Sequence, residues 1–375
     1  MPPVSLLIKP ASSSCNLRCA YCFYHDVSSK REVRNYGLMA LETLETLVRR
    51  ALEEAEGAVA FAFQGGEPTL AGLPFYRAFM EYVAKYDTGR VKLSFAIQTN
   101  GMLIDDEWAA FFAANNFLVG LSLDGNRDIH DLHRVDAKGK GSFQTVMHAA
   151  GCLTKHKVSF NILCVVNRMT ARHIDKIYTF YKKSGFRWLQ FIPCLDELGE
   201  ERGQNPYSIT PALYETFLKT LFDRWYADFM ANDAVSIRHF DNWLSIMLGH
   251  PPESCSMNGV CASYFVVEAD GSVYPCDFYV FDKWRIGNIG QDGFAAMRAS
   301  AVAQRFIQES TNVQDECKAC GYYQLCRGGC KRDRALLPDG AYGLNEFCAA
   351  HKAFFAYALP RMEQAAMMVG RNMRS

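Results

Sequence analysis

The chain has no excess of charge of either sign. Its 375 residues carry 40 Lys and Arg against 40 Asp and Glu. A balanced chain offers no broad field for nucleic acid or an anionic membrane, so neither is expected as a partner. Nor does it hold an apolar run of the roughly eighteen residues that a spanning helix needs. Met1 to Pro10 lack the basic region and long apolar core of a secretory signal. A cytoplasmic location is therefore expected. Cysteine, by contrast, is abundant, with 14 in the chain. Without a secretion signal, so many cysteines point to metal ligation rather than disulfides. They are also unevenly spread. Cys15, Cys19 and Cys22 lie near the start, Cys152, Cys164 and Cys194 are dispersed, and the rest fall between Cys255 and Cys348.

The first group, Cys15-Asn-Leu-Arg-Cys19-Ala-Tyr-Cys22, has the spacing CxxxCxxC. Thiolates are the usual ligands of iron–sulfur clusters, and such short spacings let one loop wrap one cluster. A 4Fe–4S cube takes four ligands, and this loop offers three, which leaves one iron open for chemistry. Zinc is the alternative, but zinc knuckles come as matched pairs, and the next cysteine is Cys152.

From residue 5 to 195, near-continuous apolar runs alternate with amphipathic ones. Strands are expected at Ser5–Pro10, Ala58–Phe63, Lys92–Ile97, Phe117–Leu123, Ser159–Val166 and Trp188–Ile192. Runs of this kind suit a parallel sheet buried on both faces. Leu44, Leu47, Val48, Ala51 and Leu52 recur at helical spacing, as do residues of Ala171–Lys183 and the stripe Leu213, Phe217, Leu221 and Trp225. Six such units are too few for a closed eight-stranded barrel and fit an α/β fold of partial (β/α)6, TIM-like type. Sites in these folds gather at the carboxyl ends of the strands. There the sequence places the cysteine loop, Gln64-Gly65-Gly66-Glu67-Pro68, Gln98-Thr99-Asn100-Gly101, Ser122-Leu123-Asp124-Gly125 and Pro193-Cys194-Leu195. Glycines at 65 and 66 would let a ligand approach the backbone, and Glu67 could accept from an ammonium group. Asn100-Gly101 alone reads as a turn. His130 and His133 read as polar loop residues beside Arg134, itself as easily a surface arginine as a ligand.

Composition changes near residue 235, dividing the chain into residues 1–234 and 235–375. The second part holds Cys255, Cys261 and Cys276, then Cys317-x2-Cys320-x5-Cys326-x3-Cys330, then Cys348. Phe265 to Cys276 has the pattern of a hairpin with an Asp270-Gly271 turn. Gly328 and Gly329 suit a loop passing close to sulfur. Phe354–Met373 reads as a Met-rich packing helix, and Cys164 as a small buried hydrophobe.

The CxxxCxxC loop, Tyr21 within it, and Gly65-Gly66-Glu67-Pro68 after the second strand resemble the radical S-adenosylmethionine (SAM) enzymes. The later cysteines resemble the SPASM extension, so a C-terminal iron–sulfur (SPASM) domain is implied. Leu7-Ile-Lys-Pro-Ala, Cys22-Phe-Tyr24-His25, Phe63 to Thr69 and Tyr274-Pro-Cys276-Asp277-Phe-Tyr are similar to anaerobic sulfatase-maturating enzymes over essentially the whole chain. That resemblance implies three 4Fe–4S clusters. Cys15, Cys19 and Cys22 would hold the SAM-binding one. Cys255, Cys261, Cys276 and Cys330 would hold one auxiliary cluster, and Cys317, Cys320, Cys326 and Cys348 the other. Tyr21, Gly65, Gly66, Glu67, Ser122, Arg134 and Leu195 would contact SAM.

The implied reaction oxidises a Cys or Ser in a sulfatase polypeptide to Cα-formylglycine. A 5′-deoxyadenosyl radical takes hydrogen from Cβ, Asp277 takes the proton, and the auxiliary clusters take the electron. Tyr24 is a second candidate for the base or a peptide-positioning residue. The implied partners are an unfolded or nascent sulfatase bearing Cys/Ser-x-Pro-x-Arg and an electron donor such as flavodoxin or ferredoxin, with the enzyme monomeric. A maturase forming thioether or carbon–carbon links shares the clusters but usually carries an added N-terminal domain, for which Cys15 leaves no room. A multi-cluster electron carrier would explain the cysteines but not the Gly-Gly-Glu run.

Overall fold

The computed structural model describes residues 3–261, 264–337 and 340–372. Among them the strands run β1 (Val4–Ile8), β2 (Ala58–Phe63), β3 (Lys92–Thr99), β4 (Phe117–Ser122), β5 (Phe160–Val166), β6 (Trp188–Pro193), β7 (Ser236–Ile237), β8 (Phe265–Val267), β9 (Ser272–Tyr274), β10 (Gly287–Asn288), β11 (Arg334–Leu336) and β12 (Tyr342–Asn345). The six strands expected from the apolar runs are β1 to β6, with ends shifted by one or two residues. The chain forms two compact units that interleave along the sequence. The first is residues 1–123, 130–160 and 262–306; the second is 124–129, 161–261 and 307–375.

In the first unit the strand order is β10-β9-β8-β1-β2-β3-β4. Strands β1 to β4 are parallel neighbours, with Leu6 opposite Phe61 and Phe61 opposite Phe95. Helices Leu41–Glu54, Leu73–Tyr86 and Asp106–Ala114 connect them. The helix Leu41–Glu54 buries Leu44, Leu47, Val48, Ala51 and Leu52, one face at three- and four-residue spacing. Against the sheet lies an aromatic core in which Phe63 meets Tyr76 and Phe79, each at 5.0 Å between ring centroids. Full burial of side chains of this size contributes about 1.5–3 kcal/mol each.

The Asp-Gly hairpin forms as expected. β8 and β9 are antiparallel, and Gly271 sits at φ +82° in the turn. Its placement was not legible in sequence, because β8 pairs in parallel with β1, Leu6 opposite Phe265. The hairpin thus extends the same sheet as the first strands.

In the second unit β5, β6 and β7 are parallel, and β11 and β12 form an antiparallel pair. Helices Pro211–Met230 and Cys348–Asn372 pack through aromatic contacts such as Phe222 on Phe354 at 5.7 Å. The C-terminal helix thus begins at a cysteine, earlier than its apolar stripe suggested. No helix among the described residues is long and apolar enough to cross a membrane.

Candidate active site

Parallel order brings the carboxyl ends of β1 to β4 to one edge, and the expected residues follow it. The cysteine loop leaves β1 and ends at Cys22, which caps the helix Phe23–Ser29. Two backbone bonds dock the loop onto the Gly-Gly-Glu run: the Gly66 amide donates to the Ser12 carbonyl (2.9 Å) and the Glu67 amide to that of Ser14 (2.7 Å). A Cβ on Gly66 would lie 2.0 Å from the Ser14 oxygen, and Gly65 sits at φ +141°. The cysteine loop's own backbone is thus one neighbour that requires glycine at position 66. On its other side the loop binds residues 133–136. The Arg18 amide donates to the Val135 carbonyl (2.7 Å) and that of Ala20 to His133 (3.3 Å). Tyr21 packs edge-on against His133 at 5.6 Å, and the Arg134 guanidinium lies 5.6 Å from the Tyr21 ring centroid. Arg134 is buried, which overturns the surface reading, and His130 and His133 belong to a short helix rather than a loop.

The three thiols fit a cluster loop. Cys15 accepts from the Leu17 amide (3.4 Å) and from Asn100 Nδ2 (3.7 Å), so Asn100 is more than a turn residue. Burial pushes the Cys15 thiol up to about 11, and Cys22 is close enough to add to that rise. Among the described residues no two cysteines are joined by a disulfide.

Glu67 is fully buried and takes four hydrogen bonds. The Thr69 amide, Thr69 hydroxyl and Thr99 hydroxyl reach Oε1, and the Asn100 amide reaches Oε2 at 2.8 Å. Burial raises its pKa, and these donors oppose the rise. Among the described residues no lysine, arginine or histidine pairs with it. A buried carboxylate of this kind has capacity left on Oε2 for an external ammonium. Ser122 closes β4 and is buried. Leu195 lies just past β6, half-buried, in the second unit.

Asp277 follows Cys276 in a short 3-10 turn, Asp277–Tyr279. Its Oδ1 pairs with Lys9 Nζ at 2.5 Å, and its Oδ2 accepts from Gln64 Nε2 at 3.0 Å. Lys9 is wholly buried, with its ammonium 3.8 Å from the centroid of the Tyr24 ring. The Tyr24 hydroxyl donates to Glu268, which forms an ion pair with Arg31 at 2.7 Å with both side chains fully buried. Burial and the Glu268 charge hold the Tyr24 phenol well above its ordinary pKa. Tyr24 therefore stays protonated, with its hydroxyl on Glu268 and its face on Lys9.

Cys317, Cys320, Cys326 and Cys348 line one concavity in the second unit. Cys326 feels the charges of the other three. Among the described residues no three His, Cys, Asp or Glu side chains converge closely enough to share one metal ion. Four thiols lining one concavity could each supply one ligand to a four-iron cluster. Gly328 and Gly329 both have left-handed φ, and a Cβ would meet Val313 at 2.8 Å and Asn345 at 2.4 Å respectively. Arg334 ties the loop down, donating to the carbonyls of Gly328 (3.1 Å), Gly329 (3.0 Å) and Ser310 (2.8 Å). Cys255 and Cys261 lie within each other's electrostatic reach, and the Cys330 sulfur accepts from the Arg332 amide (3.4 Å). Cys276, in the first unit, accepts from the Tyr264 hydroxyl (3.8 Å). Cys152, Cys164 and Cys194 are buried.

Residues 10–181 match the radical SAM superfamily, and residues 255–321 match an iron–sulfur cluster-binding domain, SPASM. A cysteine-type anaerobic sulfatase-maturating enzyme of Clostridium novyi is 52% identical over 98% of both chains. The chain belongs to the anaerobic sulfatase-maturating enzymes. A serine-type member from Bacteroides thetaiotaomicron is 32% identical, over 96% of this chain and 91% of its own. The solved structure of native anSMEcpe with bound AdoMet and Cp18Cys peptide superposes with a TM-score of 0.95 at 50% identity, covering 98% of this chain and 100% of that one. The fold is accordingly that of a radical SAM enzyme with a SPASM domain, and the protein is an enzyme.

In this sulfatase-maturating enzyme, sequence reasoning missed Lys9, Gln64, Arg31, Glu268 and Asn100. Lys9 and Gln64 lay inside quoted motifs, which was the only local signal. Arg31 and Glu268 had none, since a charge that is buried by pairing with a distant residue looks like any other charge.

Proposed function

We propose that this enzyme oxidises a cysteine side chain of a sulfatase polypeptide to Cα-formylglycine. The observation that carries the reading is the buried Asp277 carboxylate, directly after a cluster cysteine and gripped on both oxygens by Lys9 and Gln64. Three relatives named cysteine-type are 52% identical, whereas those named serine-type reach 31–32%, which favours cysteine over serine.

The residues divide by role. Residues 1–234 form the radical SAM part and 235–375 the SPASM part. Cys15, Cys19 and Cys22 hold the SAM-binding cluster. Cys255, Cys261, Cys276 and Cys330 hold one auxiliary cluster, and Cys317, Cys320, Cys326 and Cys348 hold the other. Glu67 receives the ammonium of SAM and Arg134 its carboxylate, in keeping with the fork geometry of a guanidinium. Tyr21, Gly65, Gly66, Ser122 and Leu195 complete that pocket. When bound, these groups supply hydrogen-atom abstraction at the substrate Cβ and a way out for the remaining electron.

Asp277 accepts the proton that the substrate side chain must lose. Lys9 and Gln64 hold the carboxylate so that neither oxygen swings away. Tyr24 seats the Lys9 ammonium on its ring and acts through it. The partners are an unfolded or nascent sulfatase bearing Cys/Ser-x-Pro-x-Arg and a donor such as flavodoxin or ferredoxin. The enzyme works as a monomer in the cytoplasm.

The test incubates the reduced, cluster-loaded enzyme and SAM with a Cys-x-Pro-x-Arg peptide. The expected product is an aldehyde that reacts with a hydrazide probe and is seen by mass spectrometry. SAM cleavage without aldehyde would refute the reading, and an internally crosslinked peptide would favour a different peptide maturase.

A further inference from the structure

One histidine beside the second cysteine set has no role in the mechanism above. His351 lies on the helix Cys348–Asn372, three residues after Cys348, so the two side chains share a helix face. Its ring lines the concavity that Cys317, Cys320, Cys326 and Cys348 also line. The ring is held by aromatic packing, edge-on to Tyr214 at 5.9 Å and stacked on Phe355 at 6.2 Å. Yet its Nδ1 is buried without a hydrogen-bond partner in the protein. A histidine ring, neutral or protonated, carries at least one N–H. Leaving a buried ring nitrogen without a partner is energetically costly. A cluster held by the four thiols would bring sulfur acceptors into the concavity that His351 lines.

We propose that His351 donates its Nδ1–H to a sulfur of the cluster held by Cys317, Cys320, Cys326 and Cys348, and so raises that cluster's reduction potential. Reduction adds negative charge to the cluster. A donor aimed at sulfur therefore stabilises the reduced state more than the oxidised one. His351 touches no substrate. It tunes the redox partner rather than the reacting carbon.

The inference rests on the proposed ligand set, and the experiment separates the two. Anaerobic redox titration followed by electron paramagnetic resonance is run on the reconstituted wild type and on His351→Phe and His351→Gln. The relevant signal is the one missing from Cys320→Ala, and iron is counted in every sample. The Phe variant should keep its iron and show this cluster's reduced-to-oxidised ratio lowered about tenfold at fixed ambient potential, about 59 mV for a one-electron couple. The Gln variant, which retains an N–H donor, should recover most of the shift. An unmoved midpoint with iron retained, or a shift confined to another cluster, overturns the role of His351. A wild type without iron at this set overturns the ligand assignment and the inference with it. Should the Phe variant lose its iron, the wild type labelled with 15N-histidine decides. A histidine nitrogen hyperfine coupling to the reduced cluster supports the proposal, and its absence overturns it.

Discussion

Replacing Lys9 by methionine tests how Asp277 is held. The side chains of the pair are 0% and 7% exposed, and the ammonium has two neighbours, the carboxylate at 2.5 Å and the Tyr24 ring at 3.8 Å. Methionine fills similar volume but removes the charge, leaving a buried carboxylate with Gln64 as its one donor among the described residues. Removing one partner of a buried ion pair costs about 3–5 kcal/mol, chiefly because the remaining charge is uncompensated. Lys9→Met should therefore destabilise the protein by that order in anaerobic urea denaturation. Adding Asp277→Asn should return much of the loss, with a coupling energy of about 2–3 kcal/mol across the double-mutant cycle. The single variant should still cleave SAM when peptide is present, while formylglycine formed per SAM cleaved falls at least about tenfold, the effect of roughly 1.4 kcal/mol on the step that Asp277 serves. Additivity within about 0.5 kcal/mol would refute the idea that Lys9 and Asp277 act as one unit. An unchanged product-to-SAM ratio would refute the functional half of the argument. A well-packed apolar pair at these positions would be at least as stable as the ion pair. The charges are therefore better explained by holding a carboxylate for chemistry than by stability.

Asp277→Asn alone should keep all iron and cleave SAM but yield little formylglycine; near-normal yield would remove Asp277 as the base. Reconstituted enzyme should carry about twelve irons, and changing Cys15, Cys19 and Cys22 to Ala should leave about eight and abolish SAM cleavage. Glu67→Gln and Arg134→Ala should weaken SAM binding in equilibrium dialysis while the iron count holds. Because burial raises the Glu67 pKa, its charge is lost at a higher pH than that of an exposed carboxylate, ordinarily near ~4.3. Wild-type affinity for SAM should thus decline as pH falls toward that raised value, and Glu67→Gln should flatten the decline. Gly66→Ala forces a Cβ to 2.0 Å from the Ser14 oxygen, so the cysteine loop must shift. We expect about 1–3 kcal/mol of destabilisation and loss of iron from the first site in metal analysis, with the other clusters intact.

Much of this protein is local information. Apolar runs such as Ala58–Phe63 and the helical stripe through Leu44, Leu47 and Val48 specify their own elements, because period and burial follow from neighbours a few residues away. The short cysteine spacings are legible for the same reason, since one turn of chain presents three sulfurs. The Asp270-Gly271 turn likewise announces its hairpin. What that hairpin pairs with could not be read, because β1 and β8 are separated by most of the chain and nothing in Phe265–Val267 names its partner. The same holds for the site. Asp277 stood out by adjacency to Cys276, but its grip by Lys9 joins residues 268 positions apart, and the Tyr24–Glu268 bond joins residues 244 apart. Gly66 was singled out for a ligand's approach, and the packed chain supplies a further demand for glycine there, the Ser14 carbonyl. The sequence determined which elements form and which side chains are candidates for the chemistry. Tertiary structure decided which charges are buried together, because a buried charge is tolerable only opposite a partner and that partner is chosen by the fold.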